Sequence, residues 1–302
     1  MKKVAIILVN YHSEKDLEDV TSSLNKSSIP SGFQRKIFVV DNGSVDDGWG
    51  EVIRICEKYK DIECIRSIDN TGFSGGNNIG IKRAMEWGAD YVLLLNVDTT
   101  VEKKFLVEMV KVMEREKSVG HLGVMSPKIY FYPGFEFHKK YKKGDLGKVI
   151  WYGGGIVDFN NIVGKGNFVD EVDRGKFGKD LVETGFATGC CLFIPREIIE
   201  RVGMLDEVLF FSWEDTDFSE RVRRAGYKVW YLPTAFIWHK NAHTSGGAGS
   251  PIQDFYQTRN RLIFAFRYAT FKVKVLLLLV LLRGANWNRL KAILSGITSL
   301  VV

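Results

Sequence analysis

The chain has 302 residues, 45% of them hydrophobic and 26% charged, which supplies apolar material for a large core and excludes a disordered chain. The formal net charge of +6 is local: no acidic residue follows Asp254, while Arg259, Arg261, Arg267, Lys272, Lys274, Arg283, Arg289 and Lys291 do, and the remainder is near neutral. With no nucleic-acid module elsewhere, this basic tail argues for an anionic membrane surface and against nucleic acid as a partner.

The N-terminus runs M-K-K into an apolar stretch at residues 4–9 and turns polar at once at N-Y-H-S, so it reads as a buried first strand and not as a leader. A polar-faced helix is expected over 16–24, a strand over 36–40 ending at Asp41, and a helix over 50–60. A short strand over 64–67, a helix over 76–88 and a strand over 91–95 ending at N-V-D follow. Continuous apolar strands separated by helices predict an α/β fold with a mostly parallel, doubly wound sheet covered on both faces. Ligands of such sheets bind beyond the carboxyl ends of the strands. Asn10, Asp41 with Asn42, and Asn96 with Asp98 fall there, and strand-end turns also favour Asn and Asp for conformational reasons.

The stretch N-T-G-F-S-G-G-N-N-I-G, residues 70–80, is a glycine-rich helix entry whose backbone can approach a ligand closely; it is neither a dinucleotide fingerprint nor a P-loop. Asp98, with Thr99 and Thr100 after it, suits a hard divalent cation, and the same T-T-V-E suits a cap for a helix near 102–114. Both uses stay open. From 127 to 185 the pattern loosens into strands and long loops over the site, and an apolar segment over 185–195 leads to the acidic motif.

In that motif, W-E-D-T-D, the carboxylates Glu214, Asp215 and Asp217 follow an apolar run. Carboxylates crowded against apolar walls have raised pKa values and suit a general base. Capping of a helix over 219–225 explains Asp217 equally well. After a strand over 229–238 come His239 and His243, each a metal ligand or a structural histidine, the former gaining value only if it meets Asp98, with a glycine pair suited to a lid. The apolar run at 275–282 falls short of the roughly 20 residues that span a bilayer. None of the four cysteines has metal-site spacing. Cys190 and Cys191 read as buried reduced thiols, and a reducing cytosol fits.

Taken in order, V-N-Y-H (9–12), V-V-D-N-G-S (39–44), the glycine-rich 70–80, L-L-N-V-D (94–98), T-G-C-C-L-F-I-P-R (188–196), F-F-S-W-E-D-T-D (210–217), W-H (238–239) and Y-Q-T-R-N (256–260) resemble the family 2 inverting glycosyltransferases of GT-A fold, in particular the rhamnosyltransferase-like branch. The resemblance implies a nucleotide-sugar-binding domain over 1–250; the C-terminal helical, basic and apolar segment over 251–302 contacts a membrane surface or another subunit, or is a buried core helix. The resemblance also implies that Asn10, Asp41, Asn70, Asn78, Asn96 and Asp98 hold the donor, and that Asp98 and His239 hold Mg2+ or Mn2+. Asp215 would be the catalytic base supported by Glu214, with Trp213 and Arg259 on the acceptor side. Asn96 departs from the family pattern, in which the first residue of this D-x-D element is Asp, and this implies weak metal binding without donor.

The expected activity is metal-dependent, inverting transfer of a sugar from a UDP- or dTDP-linked donor, dTDP-rhamnose among them, to a glycan or lipid-linked acceptor in cell-surface polysaccharide synthesis. The expected place is the cytoplasm, peripheral at the inner face of the membrane. A non-catalytic nucleotide-sugar-binding protein and a polyprenyl-phosphate sugar transferase are the alternatives. The first has no need of Asp215, and the second often carries spanning helices.

Overall fold

The computed structural model describes residues 1–45, 47–136, 138–241, 250–283 and 285–300. In chain order its first half comprises β1 (Lys2–Asn10), α1 (Glu14–Lys26), β2 (Phe33–Asn42), α2 (Gly48–Cys56), β3 (Ile62–Ser67), α3 (Gly72–Trp87) and β4 (Tyr91–Leu95). Then come β5 (Thr99–Val101), α4 (Phe105–Ser118), β6 (Gly123–Phe131), β7 (Ile150–Tyr152), β8 (Gly155–Asp158), β9 (Val163–Gly166), β10 (Val182–Glu183) and β11 (Cys191–Pro195). The chain continues through α5 (Arg196–Val202), α6 (Glu214–Arg224), β12 (Lys228–His239), α7 (Pro251–Tyr268), α8 (Phe271–Arg283) and α9 (Trp287–Thr298).

The main sheet runs β10-β12-β6-β11-β4-β1-β2-β3. Its β4-β1-β2-β3 half is parallel, as the alternation of apolar strands and helices predicts; β11 enters antiparallel between β4 and β6, and β12 lies parallel to β6. Val4, Ile6 and Leu8 of β1 belong to one buried cluster and Ala5 and Ile7 to another, so helices cover both faces. Each such Val, Leu or Ile contributes about 1.5–3 kcal/mol by burial, which is why an unbroken apolar run is stable in this strand.

Four expectations change. The helix expected over 76–88 begins at Gly72, so the glycines lie inside α3. A Cβ on Gly76 or Gly80 would sit 2.7 Å from Val9 Cγ1 or 2.4 Å from Ile7 Cγ2. These two glycines serve close packing of α3 on β1. The T-T-V stretch caps no helix: it is β5, paired with β12, and α4 starts at Phe105 without a side-chain cap. Gly123–Phe131 is a wholly buried strand, although its first residues precede the expected loop region and Pro127 interrupts it. Cys190 and Cys191 are free and buried as expected, but Cys56 and Cys64 form a disulfide tying the end of α2 to β3, which the reading of a reducing compartment does not foresee.

The tail is helical, and no described helix is long and apolar enough to cross a membrane. Ala292 and Ile293 of α9 and Leu277 and Leu281 of α8 are buried, the latter pair with Ile293 in a cluster with Leu262 and Phe264 of α7. The opposite face of α8 is bare: Leu279 is 58% and Val280 64% exposed.

Candidate active site

Strand ends bring the first polar group together. In-register pairing sets Asn10 beside Asp41, and Asn10 Nδ2 donates to Asp41 Oδ1 over 3.1 Å. Both residues are fully buried, yet among the described residues Asn10 Oδ1 and Asp41 Oδ2 have no partner. Buried polar atoms without partners are costly, so a pair of them at a strand-end rim is suited to a hydroxyl or amide from a ligand. Next to it, the Asn42 amide accepts from Thr71 N and donates to Gly72 O and Asn70 Oδ1, fixing the start of α3. Asn70 is exposed, and its carbonyl also accepts from Gly72 N.

Asn78 is engaged elsewhere. Its Nδ2 donates to Leu205 O and Glu207 Oε1, and its Oδ1 accepts from Leu205 N, so it anchors the segment before the acidic motif. Arg259 is likewise internal: its guanidinium donates to Val208 O, Asn260 Oδ1, Ser295 Oγ and Ser299 Oγ.

Asp98 and His239 meet. The β5–β12 register pairs Thr99 with His239, which places His239 Nε2 3.0 Å from Asp98 Oδ1, both side chains buried. Burial alone would push the imidazole pKa down, but the Asp98 carboxylate beside it holds it well above the usual histidine value. Burial would correspondingly raise Asp98, and the His239 charge keeps it below the usual carboxylate value. The imidazolium therefore donates Nε2–H to Asp98. Among the described residues its Nδ1 meets no nitrogen or oxygen partner, and the buried Cys190 thiol lies beside the ring. His243 and the glycine pair after it lie outside the described residues.

A carboxylate oxygen and an imidazole nitrogen at hydrogen-bond distance share one proton that a divalent cation can replace, so the donor types fit Mg2+ or Mn2+. No group of three or more His, Cys, Asp or Glu side chains able to hold a metal occurs among the described residues. Further ligands would have to come from donor phosphates and water. Asn96, half-buried, bonds through its backbone N–H to Cys190 O and through its carbonyl to the Thr99 hydroxyl.

The segment 188–191 links this end to the acidic motif. While Cys190 O holds Asn96, the neighbouring Gly189 N–H donates to Asp215 Oδ2 over 2.9 Å. Asp215 Oδ1 accepts from Thr216 N and Oγ1. Nothing in the sequence alone assigns T-G-C-C a role in this link. A glycine followed by buried thiols, next to a strand end, was the available signal.

The acidic residues themselves divide cleanly. Helix α6 starts at Glu214, earlier than the expected 219, so Glu214 and Asp215 occupy its first turn. Glu214 is buried, with Oε2 unpartnered among the described residues; burial and then the Asp215 charge push its pKa well above the usual value. Asp215 is half-buried, and burial raises it against the opposing bonds from Gly189 and Thr216. Asp217 accepts from Arg221, Arg267 and Tyr268, which makes it a structural anchor between α6 and α7. Ahead of them Phe210, Ser212 and Trp213 all have positive φ, at 54°, 69° and 72°. Such backbone costs about 1–3 kcal/mol per residue and persists only where surroundings enforce it. Trp213 Nε1 donates to Gln257 Oε1 of α7 over 3.0 Å.

The sequence model of the family described as "Glycosyl transferase family 2" matches residues 5–203. The low-salt glycan biosynthesis hexosyltransferase Agl10 of Haloferax volcanii is 26% identical over 262 residues, covering 86% of this chain and 74% of that protein. The dTDP-rhamnosyl transferase RfbF of Shigella flexneri is 24% identical over 270 residues, 85% and 78% of the two chains. Among solved structures, the mannosyltransferase PcManGT from Pyrobaculum calidifontis, in complex with GDP-Man and Mn2+, superposes with a TM-score of 0.57 at 13% identity over 99% of this chain and 80% of its own. GalNAc-T7 with UDP, GalNAc and Mn2+ superposes with a TM-score of 0.64 at 16% identity; it covers 86% of this chain, which spans 47% of that one. These likenesses establish the GT-A fold.

Proposed function

Because the chain belongs to glycosyl transferase family 2, and is thus a glycosyltransferase using nucleotide sugars, we propose that it inverts the anomeric carbon in a single displacement in which Asp215 is the base. The observation carrying this is the placement of Asp215. It is half-buried with a raised pKa and is oriented by Gly189 N–H, on the segment that also holds the Asn96–Asp98 strand end. A carboxylate whose pKa burial raises above the ordinary aspartate value is a stronger base for an acceptor hydroxyl proton than a solvated one. The hydroxyl oxygen attacks the anomeric carbon as its bond to the nucleoside diphosphate breaks on the opposite face. No second carboxylate is needed as nucleophile.

Asn10 and Asp41 offer their unpartnered oxygens to the nucleoside, and Asn70 and Asn96 line the donor side. Asn78 and Arg259, internally bonded, act by holding the loop before the acidic motif. Asp98 and His239 would hold Mg2+ or Mn2+, which when bound supplies positive charge against the leaving diphosphate. The names of the Agl10 and RfbF relatives favour a hexose donor, dTDP-rhamnose included, and a glycan product; the same reading takes a glycan or lipid-linked acceptor in surface polysaccharide synthesis.

The same reading places the protein peripherally at the inner face of the cytoplasmic membrane. The bare face of α8, with exposed Trp287 of α9, is flanked by exposed Lys272, Arg283 and Lys291, and no acidic residue follows Asp254 in the chain, which suits anionic lipid. A screen of UDP-glucose, dTDP-rhamnose and GDP-mannose for nucleotide release with Mg2+ or Mn2+, and proton NMR of the glycoside product, tests the proposal. Release from at least one donor with an inverted product supports it, and a retained anomer refutes it.

A further inference from the structure

We propose that Asn260 of α7 is a positioning residue for the reaction, its side-chain amide holding the strained turn that aims Trp213, Glu214 and Asp215. The proposal rests on the reading of Asp215 as base.

Three backbone carbonyls converge on one atom. Asn260 Nδ2 lies 2.6 Å from Leu209 O, 2.8 Å from Phe211 O and 2.8 Å from Ser212 O, in a fully buried position. An amide nitrogen offers two hydrogens, so the bonds are shared and only a tightly folded turn can present three carbonyls at once. The turn they define is the one with positive φ at Phe210, Ser212 and Trp213. None of the three is glycine, so the chain does not adopt this path by local preference. It is enforced from α7: Asn260 holds 209, 211 and 212, the adjacent Arg259 holds Val208 O, and Gln257 one turn earlier holds the Trp213 indole. At the far end of α7, Arg267 and Tyr268 bind Asp217, and Arg267 also pairs with Asp206.

Helix α7 therefore brackets the acidic motif on both sides. Inside the bracket, Asp215 keeps its own contacts to Gly189 and Thr216. A turn released from Asn260 would relax toward negative φ and rotate the start of α6, misaligning a base whose reaction geometry is sensitive to about 1 Å, which can cost about 100-fold. This gives the Y-Q-T-R-N element a function: its Gln, Arg and Asn hold the turn in succession.

The test compares Asn260→Ala, Gln257→Met and Asp215→Asn in the full chain. The donor is whichever of UDP-glucose, dTDP-rhamnose and GDP-mannose the wild type turns over. The acceptors are water and a panel of methyl glycosides. Circular dichroism melts fix a temperature at which each variant is folded, and calorimetry with dTDP and Mn2+ reads nucleotide affinity. Asn260→Ala should lower kcat about 100-fold while leaving nucleotide affinity within about twofold. Gln257 is exposed, so its variant folds; it should raise acceptor KM with little change in kcat. A kcat loss under about threefold in folded Asn260→Ala, or a parallel fall of kcat and nucleotide affinity, overturns the proposal. If Asn260→Ala does not fold, an unchanged acceptor KM in Gln257→Met overturns it instead. Asp215→Asn separates the two readings. Full activity there removes the base assignment, whereas inactivity there with an active Asn260→Ala removes only the positioning role.

Discussion

At the residue scale, the charges of Asp98 and His239 oppose what burial alone would impose on each, whereas at Glu214 burial and the Asp215 charge act in the same direction. Asp98 and His239 are separated by 141 positions, and no spacing argument could join them; the sheet register does. Asp98→Ala and His239→Ala should each weaken Mn2+-dependent binding of the donor nucleotide about tenfold or more, as calorimetry with and without Mn2+ will read. Equal metal dependence in His239→Ala and the wild type would leave that histidine a structural partner. Glu214 gives a pH prediction of definite sign. Its folded pKa is raised, so between the ordinary glutamate value and that raised value the native state binds more protons than the unfolded state, and stability falls as pH rises through this window. Glu214→Gln should therefore melt higher than the wild type at about pH 8 and lose that advantage below about pH 4. A higher melting temperature for the wild type at the upper pH would contradict the assignment. The sequence made the carboxylate cluster legible but not its division of labour. Asp217 is set apart from its neighbours by Arg221 in its own helix and by Arg267 and Tyr268, which lie 50 and 51 positions on.

At the element scale, β1, β2 and β4 were readable because strands buried on both faces leave continuous apolar runs. The short β5 was not, since Thr-Thr-Val followed by Glu has the composition of a cap, and only pairing with β12 decides between them. Strand β6 was obscured by Pro127, and β7 to β10, none longer than four residues, leave too little pattern to read. Two glycines of α3, Gly76 and Gly80, admit β1 at positions where their sequence equally suits close approach of a ligand. Gly80→Val should accordingly destabilise the chain by about 1–3 kcal/mol in urea denaturation, because Ile7 already occupies the space a Cβ needs. A neutral effect would mean that α3 and β1 separate more readily than their packing implies.

At the scale of the whole molecule, the C-terminal helices have two faces with two uses. Through α7 they brace the acidic motif, and through α8 and α9 they present apolar and basic side chains outward. Truncation before Phe271 would thus mix both effects, since Arg259 bonds to Ser295 and Ser299. The exposed Leu279 separates them. Leu279→Gln should reduce co-sedimentation with phosphatidylglycerol vesicles without altering nucleotide release in solution, and wild-type binding should fade as salt rises from about 0.05 M to about 0.5 M. Binding unchanged by both would exclude this face as the lipid contact. The central claim, that one carboxylate on the first turn of α6 removes the acceptor proton in a nucleotide-sugar transferase, is tested most directly by the turnover of Asp215→Asn. The account predicts a kcat lower by about 100-fold or more with nucleotide affinity nearly unchanged. Turnover near the wild-type rate, with nucleotide still bound, would contradict it.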